Sequence, residues 1–483
     1  MRGAAQHDEC MSNSAAALRP HPDRLLPPEP GVRTIARELY YAVRDLPIIS
    51  PHGHIPAQLL LDNEPFSDPA GLLVTPDHYV TRLLHASGVP LHNLGVGRGR
   101  LTEAQSRAVW RLVCENWSVF RSTPVRYWLD SELADIFGVT ERPSAKNADL
   151  LYDQIAGCLT RPEFRPRALF EHFGIALLAT TDDPTDDLAA HAALAADPTW
   201  TTRITPTFRP DRYLDPAQPG WRDVVIRLGE VSEIDTGEYA GYLHALEDRR
   251  RYFIAHGALS ADHGPQDART DPLTPTEASR IYRDGLVGTA TMEETVAFRR
   301  HMLLEMARMS CEDGLVMTLH PGAHRNHHTA SAATYGPDTG SDIPGATEYT
   351  TALRPLLERY GTNPNLNLVL FTLDETVWSR ELAPLAGFYP AVYIGAPWWF
   401  LDAPDAIHRF RTAVTETAGF SRTSGFIDDT RAFCSIPARH DMSRRLDSAF
   451  LAGLVAEHRL DEDEAIETAV ALVSDNPRRV FKL

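Results

Sequence analysis

The sequence predicts an α/β protein built as a (β/α)8 barrel of the TIM type. Short apolar runs that end in polar residues recur along the chain, and most are separated by segments with helical periodicity, such as 291–311 and 343–360. Alternation of strands and helices predicts a parallel sheet, and eight such units are the number that closes a barrel. The 483 residues, 43% of them hydrophobic, are enough for one such barrel with insertions.

Each strand is predicted from an apolar run bounded by turn residues. In chain order the predicted strands are 46–50, 175–180, 203–208, 257–260, 315–320, 366–372, 391–395 and 424–427. The gap between the first two strands is too long for one crossover, so residues 75–171 are predicted to form an inserted helical subdomain. The barrel would then comprise residues 31–74 and 172–483, with a second helical insertion at 216–257. Residues 1–30 are predicted to be a flexible N-terminal tail.

Composition limits the partners of the protein. The formal net charge is -18, and no basic run interrupts it, which argues against nucleic acid and anionic membranes. The sequence contains no run of about 18 apolar residues, so it predicts no membrane-spanning helix. An acidic small molecule would be repelled overall, so it would have to be held by locally placed arginines.

Cysteine and lysine usage narrows the compartment and the chemistry. The five cysteines are odd in number, widely spaced and without a Cys-x-x-Cys pair, which predicts reduced thiols in a cytoplasmic protein: Cys10, Cys114, Cys158, Cys311 and Cys434. The only lysines are Lys146 and Lys482, and neither follows a predicted strand. Pyridoxal-phosphate enzymes, Schiff-base aldolases and P-loop enzymes each need a well-placed lysine and are therefore excluded.

The strongest chemical signal is His52-Gly53-His54, directly after the first predicted strand. Side chains two residues apart on a strand point the same way, and neutral imidazole is a common metal ligand. Functional residues of such barrels lie at the C-terminal ends of strands. Asp428 and Asp429 follow the eighth predicted strand, so the two imidazoles and one carboxylate of this pair predict a site for one divalent metal ion. Zinc is the first choice, and manganese, iron and cobalt stay open because the donors are nitrogen and oxygen.

Further ordered segments accompany this motif along almost the whole chain. They are Thr75-Pro76-Asp77-His78-Tyr79, Thr180-Thr181-Asp182-Asp183-Pro184, Pro206-Thr207-Phe208-Arg209-Pro210-Asp211, Ser260-Ala261-Asp262-His263-Gly264, Trp398-Trp399-Phe400 and Asp428-Asp429-Thr430-Arg431. With these segments the chain resembles the uronate isomerase (glucuronate isomerase) family, a divergent branch of the amidohydrolase superfamily. The family pattern near the fifth strand is kept at His320 and Arg325, with extra histidines beside it: His324, His327 and His328.

The resemblance implies isomerisation of D-glucuronate to D-fructuronate and of D-galacturonate to D-tagaturonate. A proton would move between C2 and C1 through an enediolate, which needs a base and stabilisation of the oxyanion. By this resemblance His52, His54 and Asp429 hold the metal, and Asp429 is also a candidate for proton transfer. The other residues that the resemblance brings to the site are His78, Tyr79 and His320 for catalysis and Arg209, Arg431, Arg325 and Trp398 for substrate binding.

Several of these residues also have a structural alternative. Asp429 could cap a helix, Arg209 could pair with Asp211, and His78 and Tyr79 could simply begin a helix capped by Asp77. A metal-dependent hydrolase with one ion, such as a deaminase or lactonase, is the main alternative function, since the fold alone does not decide it. A sugar-acid-binding protein without catalysis is a third. The protein is also expected to form a homo-oligomer.

Overall fold

The computed structural model describes residues 17–483, and it is a mixed α/β structure. Its strands are β1 Ile48–Ser50, β2 Ile175–Ala179, β3 Arg203–Thr205, β4 Thr207–Phe208, β5 Ser260–His263, β6 Val316–Leu319, β7 Ala323–His324, β8 Ile343–Pro344, β9 Leu368–Leu370 and β10 Val392–Ile394. Its α-helices are α1 Pro30–Val43, α2 Ala57–Asp62, α3 Pro69–Leu73, α4 His78–Ala86, α5 Glu103–Glu115, α6 Pro124–Ser131, α7 Ala148–Leu159, α8 Pro166–His172, α9 Ala189–Ala196, α10 Asp211–Leu214, α11 Trp221–Ser232, α12 Tyr239–Ala255, α13 Pro275–Val287, α14 Met292–Asp313, α15 Thr329–Tyr335, α16 Arg354–Tyr360, α17 Ala383–Phe388, α18 Pro404–Ala418, α19 Ile436–Ala456, α20 Glu462–Val470 and α21 Asn476–Val480.

The central strands form two parallel sheets. One has the order β1-β2-β3, and the other has the order β10-β9-β6-β5-β4. Two isolated parallel bridges add to this strand pairing. Asp182 pairs with Phe208, and Ile394 pairs with Thr423. β7 and β8 form a separate antiparallel hairpin. The strands therefore align their C-terminal ends on one side, although the pairing between them does not close into a continuous ring.

Three of the predicted strands differ from the observed ones for identifiable reasons. Residues 203–208 divide into β3 and β4 because Pro206 has no N–H to donate to a ladder. The strand predicted at 257–260 starts only at Ser260, because Gly257 adopts a φ of 90° and its N–H closes the end of α12 on Ile254. At 424–427 no strand forms: Gly425 has a φ of 77°, which interrupts the ladder after the Ser424 N–H bonds to Ile394.

The long helices follow from their caps and apolar faces. Thr291 and Glu294 form a capping box at the start of α14, which spans the predicted segment 291–311. α11 and α12 occupy the predicted helical insertion at 216–257. The prediction of a helix over 343–360 was wrong for its first half. Ile343–Pro344 pairs as β8, and only α16, Arg354–Tyr360, is helical. No helix in the described range 17–483 is long and apolar enough to cross a bilayer.

The helices between β1 and β2 share a hydrophobic core with these strands. Ile48 and Ile175 belong to the same buried cluster as Trp110, Trp128 and Ile155. Burial of such side chains stabilises by about 1.5–3 kcal/mol each, so this segment is tied to the strands over a broad face. The segment therefore shares its hydrophobic core with the strands.

The N-terminal segment also packs against the body. Residues 1–16 of the predicted tail lie outside the described range, whereas residues 17–30 are in contact with the rest of the chain. Leu18 and Leu26 are buried, and Arg24 pairs with Asp441 at 2.9 Å. α1 then lies along α19, with Leu39 and Val43 in one cluster with Leu451 and Val455. The packed part of the chain thus begins earlier than residue 31.

Candidate active site

One cavity of about 620 Å³ lies at the C-terminal ends of the strands. All ten residues that the sequence singles out line it: His52, His54, His78, Tyr79, Arg209, His320, Arg325, Trp398, Asp429 and Arg431. They come from segments up to 379 positions apart along the chain, between His52 and Arg431. The fold therefore brings the whole predicted set together around one space, while His324, His327 and His328 stay outside this lining.

The β1 imidazoles meet the carboxylate of Asp429. Nε2 of His54 lies 2.9 Å from Oδ1 of Asp429, and Nε2 of His52 lies 3.3 Å from the same oxygen. Burial alone would lower the pKa of His52, but the carboxylates of Asp262 and Asp429 outweigh it and raise the pKa. For His54 burial prevails over Asp429 and lowers the pKa. The two imidazoles, in spite of burial, hold the pKa of Asp429 well below its usual range, so this carboxylate is ionised at neutral pH.

His320 approaches the same point from the end of β6. Its Nδ1 lies 2.7 Å from Oδ1 of Asp262, and its ring stacks on His52 at 5.1 Å. Asp262 is fully buried at the end of β5 and also accepts a hydrogen bond from the Thr318 hydroxyl at 2.6 Å. Because an ionised carboxylate only accepts, it holds the proton on Nδ1 and leaves the lone pair on Nε2.

This donor set fits a divalent cation. His52, His320 and Asp429 each offer one atom, and these atoms lie within 4.8 Å of one another. Asp429 Oδ1 and His320 Nε2 are buried and have no hydrogen-bond partner, although imidazole nitrogens surround the oxygen. Imidazole nitrogens and a carboxylate oxygen that converge at one buried point match the ligand chemistry of zinc, manganese, iron or cobalt. The predicted ligand His54 contacts Asp429, and the geometry adds His320 as a further donor.

Arg209 is held by two carboxylates of the protein. Its Nη1 lies 3.0 Å from Oδ2 of Asp262, and its Nε donates to Oδ2 of Asp211 at 2.9 Å. Asp211 is itself fixed by the N–H of Gly264. The structural alternative, pairing with Asp211, is thus present, and it coexists with exposure of Arg209 to the cavity.

Two further arginines line the cavity and share one carboxylate. Nη2 of Arg431 donates to Oδ2 of Asp338 at 2.9 Å, and Nη1 of Arg325 lies 3.7 Å from the other oxygen of this carboxylate. Arg325 also approaches Asp342 at 3.4 Å and lies over the Trp399 ring. Arg431 therefore has its ion pair across the fold, not along the helix that follows it.

His78 and Tyr79 begin α4 with their side chains toward the cavity. Asp77 caps this helix by accepting the N–H of Tyr79 at 2.8 Å, as the structural alternative predicted. Burial and Arg431 lower the pKa of His78 to about 3, so its imidazole is neutral at physiological pH. Burial raises the pKa of Tyr79, so its phenol keeps its proton. Both residues can therefore donate to a bound hydroxyl without carrying charge.

Aromatic side chains form one wall. Trp398 meets His320 edge to face at 4.8 Å, and Phe371 stacks on the other side of His320 at 4.0 Å. Trp399, with a φ of 55°, meets His78 edge to face at 5.7 Å. This wall fixes the His320 ring and offers an apolar surface to a ligand.

Two acidic residues of the site did not emerge from the sequence as functional. Asp262 stood inside a matched segment, but the misplaced fourth strand hid its position at a strand end; a strand register of 260–263 would have revealed it. Asp338 has no sequence signal, since it meets Arg431 from a loop 93 residues away. Asp428, next to Asp429, is also buried, and its carboxylate lies 3.0 Å from Nε2 of His440.

Comparison with known proteins identifies the family. A family model described as glucuronate isomerase matches residues 32–481. The chain belongs to the glucuronate isomerase family. A uronate isomerase from Cutibacterium acnes is 55% identical over 461 residues, which cover 95% of this chain and 98% of that protein. Members of the glucuronate isomerase family are enzymes, and this chain is accordingly an isomerase.

Solved structures agree with this membership of the glucuronate isomerase family. The crystal structure of glucuronate isomerase from Caulobacter crescentus is 47% identical and superposes with a TM-score of 0.94, covering 96% of this chain and 97% of that chain. The crystal structure of a uronate isomerase from Thermotoga maritima is 28% identical, with a TM-score of 0.89 over 96% of this chain and 99% of that chain. The family assignment thus extends over nearly the full chain in both sequence and fold.

Proposed function

We propose that the protein interconverts D-glucuronate and D-fructuronate, and D-galacturonate and D-tagaturonate, at a site with one divalent metal ion. The observation that carries this proposal is the convergence of His52, His54 and Asp429 in one cavity with a cluster of arginines. Family membership supplies the reaction class, and the arginines supply the reason for an acidic sugar.

The metal would be held by His52, His54 and Asp429, with His320 as an additional donor. When bound, a divalent cation stabilises negative charge on an oxygen of the enediolate as a Lewis acid. Zinc is our first choice, and manganese, iron and cobalt have the same ligand preferences. The hydrogen bond from His320 to Asp262 keeps the free nitrogen of His320 available for this role.

The proton moves between C2 and C1 of the open-chain sugar. Asp429 is our candidate for this transfer because it is ionised and lies at the floor of the cavity beside the imidazoles. The C2–H bond breaks toward the base, its electrons form the C1–C2 double bond, and the C1=O π electrons move onto O1. The C1–C2 π electrons then take the proton back at C1 as the C2 hydroxyl loses its proton and C2=O forms, and O1 gains a proton to become a hydroxyl. His78 and Tyr79, both uncharged, hold the sugar hydroxyls and assist ring opening.

The substrate carboxylate lies against guanidinium groups. Arg431, Arg325 and Arg209 face the cavity and can donate to a carboxylate, while Trp398 covers the sugar. Arg209 is already bound to Asp262 and Asp211, so we assign it to the oxygens near the reacting carbons and assign the carboxylate mainly to Arg431 and Arg325.

The proposal also covers the architecture, the compartment and the oligomeric state of the protein. We propose that the strands act as one eight-stranded barrel carrying the inserted helices 75–171 over its C-terminal face. The single bridges at Phe208 and Thr423 and the hydrogen bond from His54 N to Thr430 O link the sheet edges and support this. Cys114, Cys158, Cys311 and Cys434 are buried free thiols, in keeping with a cytoplasmic enzyme. We expect a homo-oligomer, which light scattering would measure.

One experiment tests the function directly. Purified enzyme is incubated with D-glucuronate in D2O, and ketose formation and deuterium at C2 are followed by NMR. We expect D-fructuronate to appear and solvent deuterium to enter C2 of recovered substrate. Release of ammonia or of a ring-opened acid from generic substrates, without ketose, would establish the hydrolase instead. Retention of the C2 hydrogen without any product would indicate a binding protein.

A further inference from the structure

The carboxylate of Asp338 lies between the two arginines to which we assigned the substrate carboxylate. Oδ2 accepts from Arg431 at 2.9 Å and Oδ1 faces Arg325 at 3.7 Å, so its two oxygens bridge two guanidinium groups. Asp338 lines the same cavity as His52 and Asp429. A uronate carboxylate would present the same two oxygens, with the same charge, to the same partners.

The other ion pairs of the cavity are built differently. Asp262 is 0% exposed on β5 and is held by Thr318, His320 and Arg209. Asp211 is fixed by two contacts from the N–H of Gly264. Asp262 cannot leave Arg209 without unpairing several buried groups, and Asp211 cannot leave it without giving up the Gly264 N–H. The positive charge of Arg209 is therefore balanced by two carboxylates of the protein itself.

Asp338 has no such anchoring. Its side chain is one third exposed, and its carboxylate contacts Arg431 at 2.9 Å and Arg325 at 3.7 Å. It lies in the loop between α15 and β8, with a φ of 61°. The neighbouring residues fix this loop instead: Asp342 is buried and accepts the N–H of Asn326 at 2.6 Å, and Thr339 is buried. A change of the Asp338 rotamer would therefore free Arg431 and the side of Arg325 that faces Asp338, while Arg325 stays near Asp342 and the loop stays in place.

We propose that Asp338 determines substrate affinity as an internal competitor, a carboxylate that occupies the Arg325–Arg431 pair in the free enzyme and is displaced by the carboxylate of the substrate. This inference rests on the proposed function for the identity of the substrate. It adds that binding is an exchange of one carboxylate for another, so the pair is never left without a counter-charge. The affinity for uronates is thereby lower than the two arginines alone would give.

The proposal is tested by direct binding, because binding does not depend on turnover. D-glucarate, which carries carboxylates at both ends and has no aldehyde to isomerise, is titrated by calorimetry into the wild type and Asp338→Asn. We expect at least a fivefold lower Kd for the variant and a lower KM for D-glucuronate. Asp338→Glu keeps the competing charge, so its Kd should lie within twofold of the wild type. Asp271→Asn, which removes an equal charge from outside the cavity lining, should not change the Kd.

A second binding experiment uses the Arg431→Met variant. In an Arg431→Met background, Asp338→Asn should no longer tighten glucarate binding, because the guanidinium released by the substitution is missing. A Kd that is unchanged or higher in Asp338→Asn, including absence of binding by both proteins, would overturn the proposal, as would a full gain in the Arg431→Met background. Failure of the wild type to form ketose would overturn the proposed function alone, since tighter glucarate binding would still show the exchange.

Discussion

Nδ1 of His320 lies 2.7 Å from Oδ1 of Asp262, and the two residues stand at the ends of the paired strands β6 and β5. The same carboxylate reaches Arg209 at 3.0 Å. One buried group thus orients an imidazole of the proposed metal site and a guanidinium of the proposed substrate site. The two halves of the site are coupled through Asp262, and the first prediction follows from this coupling.

Asp262→Asn is expected to weaken metal binding by roughly 10–100-fold, the usual effect of losing a hydrogen-bond partner behind a metal ligand. The amide does not fix the proton on Nδ1 of His320 as a carboxylate does. Metal affinity is measured by titration with a competing chelator. Asp271→Asn serves as the charge-matched control. An unchanged metal affinity in Asp262→Asn would show that Asp262 does not support the metal site.

Asp429→Asn is expected to reduce turnover by at least about 100-fold, the lower range of general acid–base catalysis, while the thermal transition changes little. The substitution removes the ionised oxygen between His52 and His54 but keeps the shape of the side chain. Isomerase assays and thermal melts measure the two effects. Retained activity in a folded variant would exclude Asp429 from proton transfer and metal binding.

Arg431→Met and Arg209→Met are expected to differ in stability, although both raise the KM for uronates. Loss of a charged hydrogen bond to the substrate corresponds to a rise of roughly 10–100-fold in KM. Arg209→Met also leaves the buried Asp262 without its guanidinium, at a cost of about 3 kcal/mol in the free energy of unfolding.

Arg431→Met loses only a pair that is one third exposed, worth about 0–1 kcal/mol. Kinetics on D-glucuronate combined with urea unfolding separates the two arginines. Equal stability of the two variants would contradict the structural role assigned to Arg209.

Metal removal is expected to lower the melting temperature as well as the activity. An ion that binds the folded state stabilises it by about 2.7 kcal/mol when its concentration is 100-fold above the Kd. Chelated enzyme is compared with enzyme reloaded with zinc, manganese, iron or cobalt. The thermal shift should disappear in His52→Ala and in His320→Ala, and a shift that persists in both would place the ion elsewhere.

His78 gives a stability prediction with a defined pH window. Its pKa is lowered to about 3 by burial and by Arg431, whereas an unfolded histidine has a value near 6.5. Below about pH 6.5 the unfolded chain therefore binds a proton that the folded chain refuses, and stability falls as the pH drops from about 6.5 toward about 3.

His78→Asn should remove this part of the pH dependence, so the variant gains stability relative to the wild type as the pH decreases. Urea unfolding at several pH values measures the difference. A constant difference between pH 7 and pH 4 would show that His78 is not buried as a neutral group.

The sequence was sufficient for the alternation of strands and helices and for the ten cavity residues, because strand-end positions and matched segments are local signals. It did not suffice at Gly257 and Gly425, where a left-handed backbone ends a helix or interrupts a ladder. Apolar character alone predicts a strand at both places. Asp338 could not be predicted at all, since its role depends on a contact with Arg431 that only the folded chain creates.

Part of the backbone strain of the described residues lies around the cavity. Asn326, Asp338, Trp399 and Asp429 line it with a positive φ, a conformation that costs a non-glycine residue roughly 1–2 kcal/mol. Substitutions intended to raise the thermal stability of this enzyme should therefore avoid these four positions. The exposed Glu233 and His458 share the same backbone geometry away from the cavity lining, and glycine at those two sites offers a safer route to a more heat-resistant catalyst.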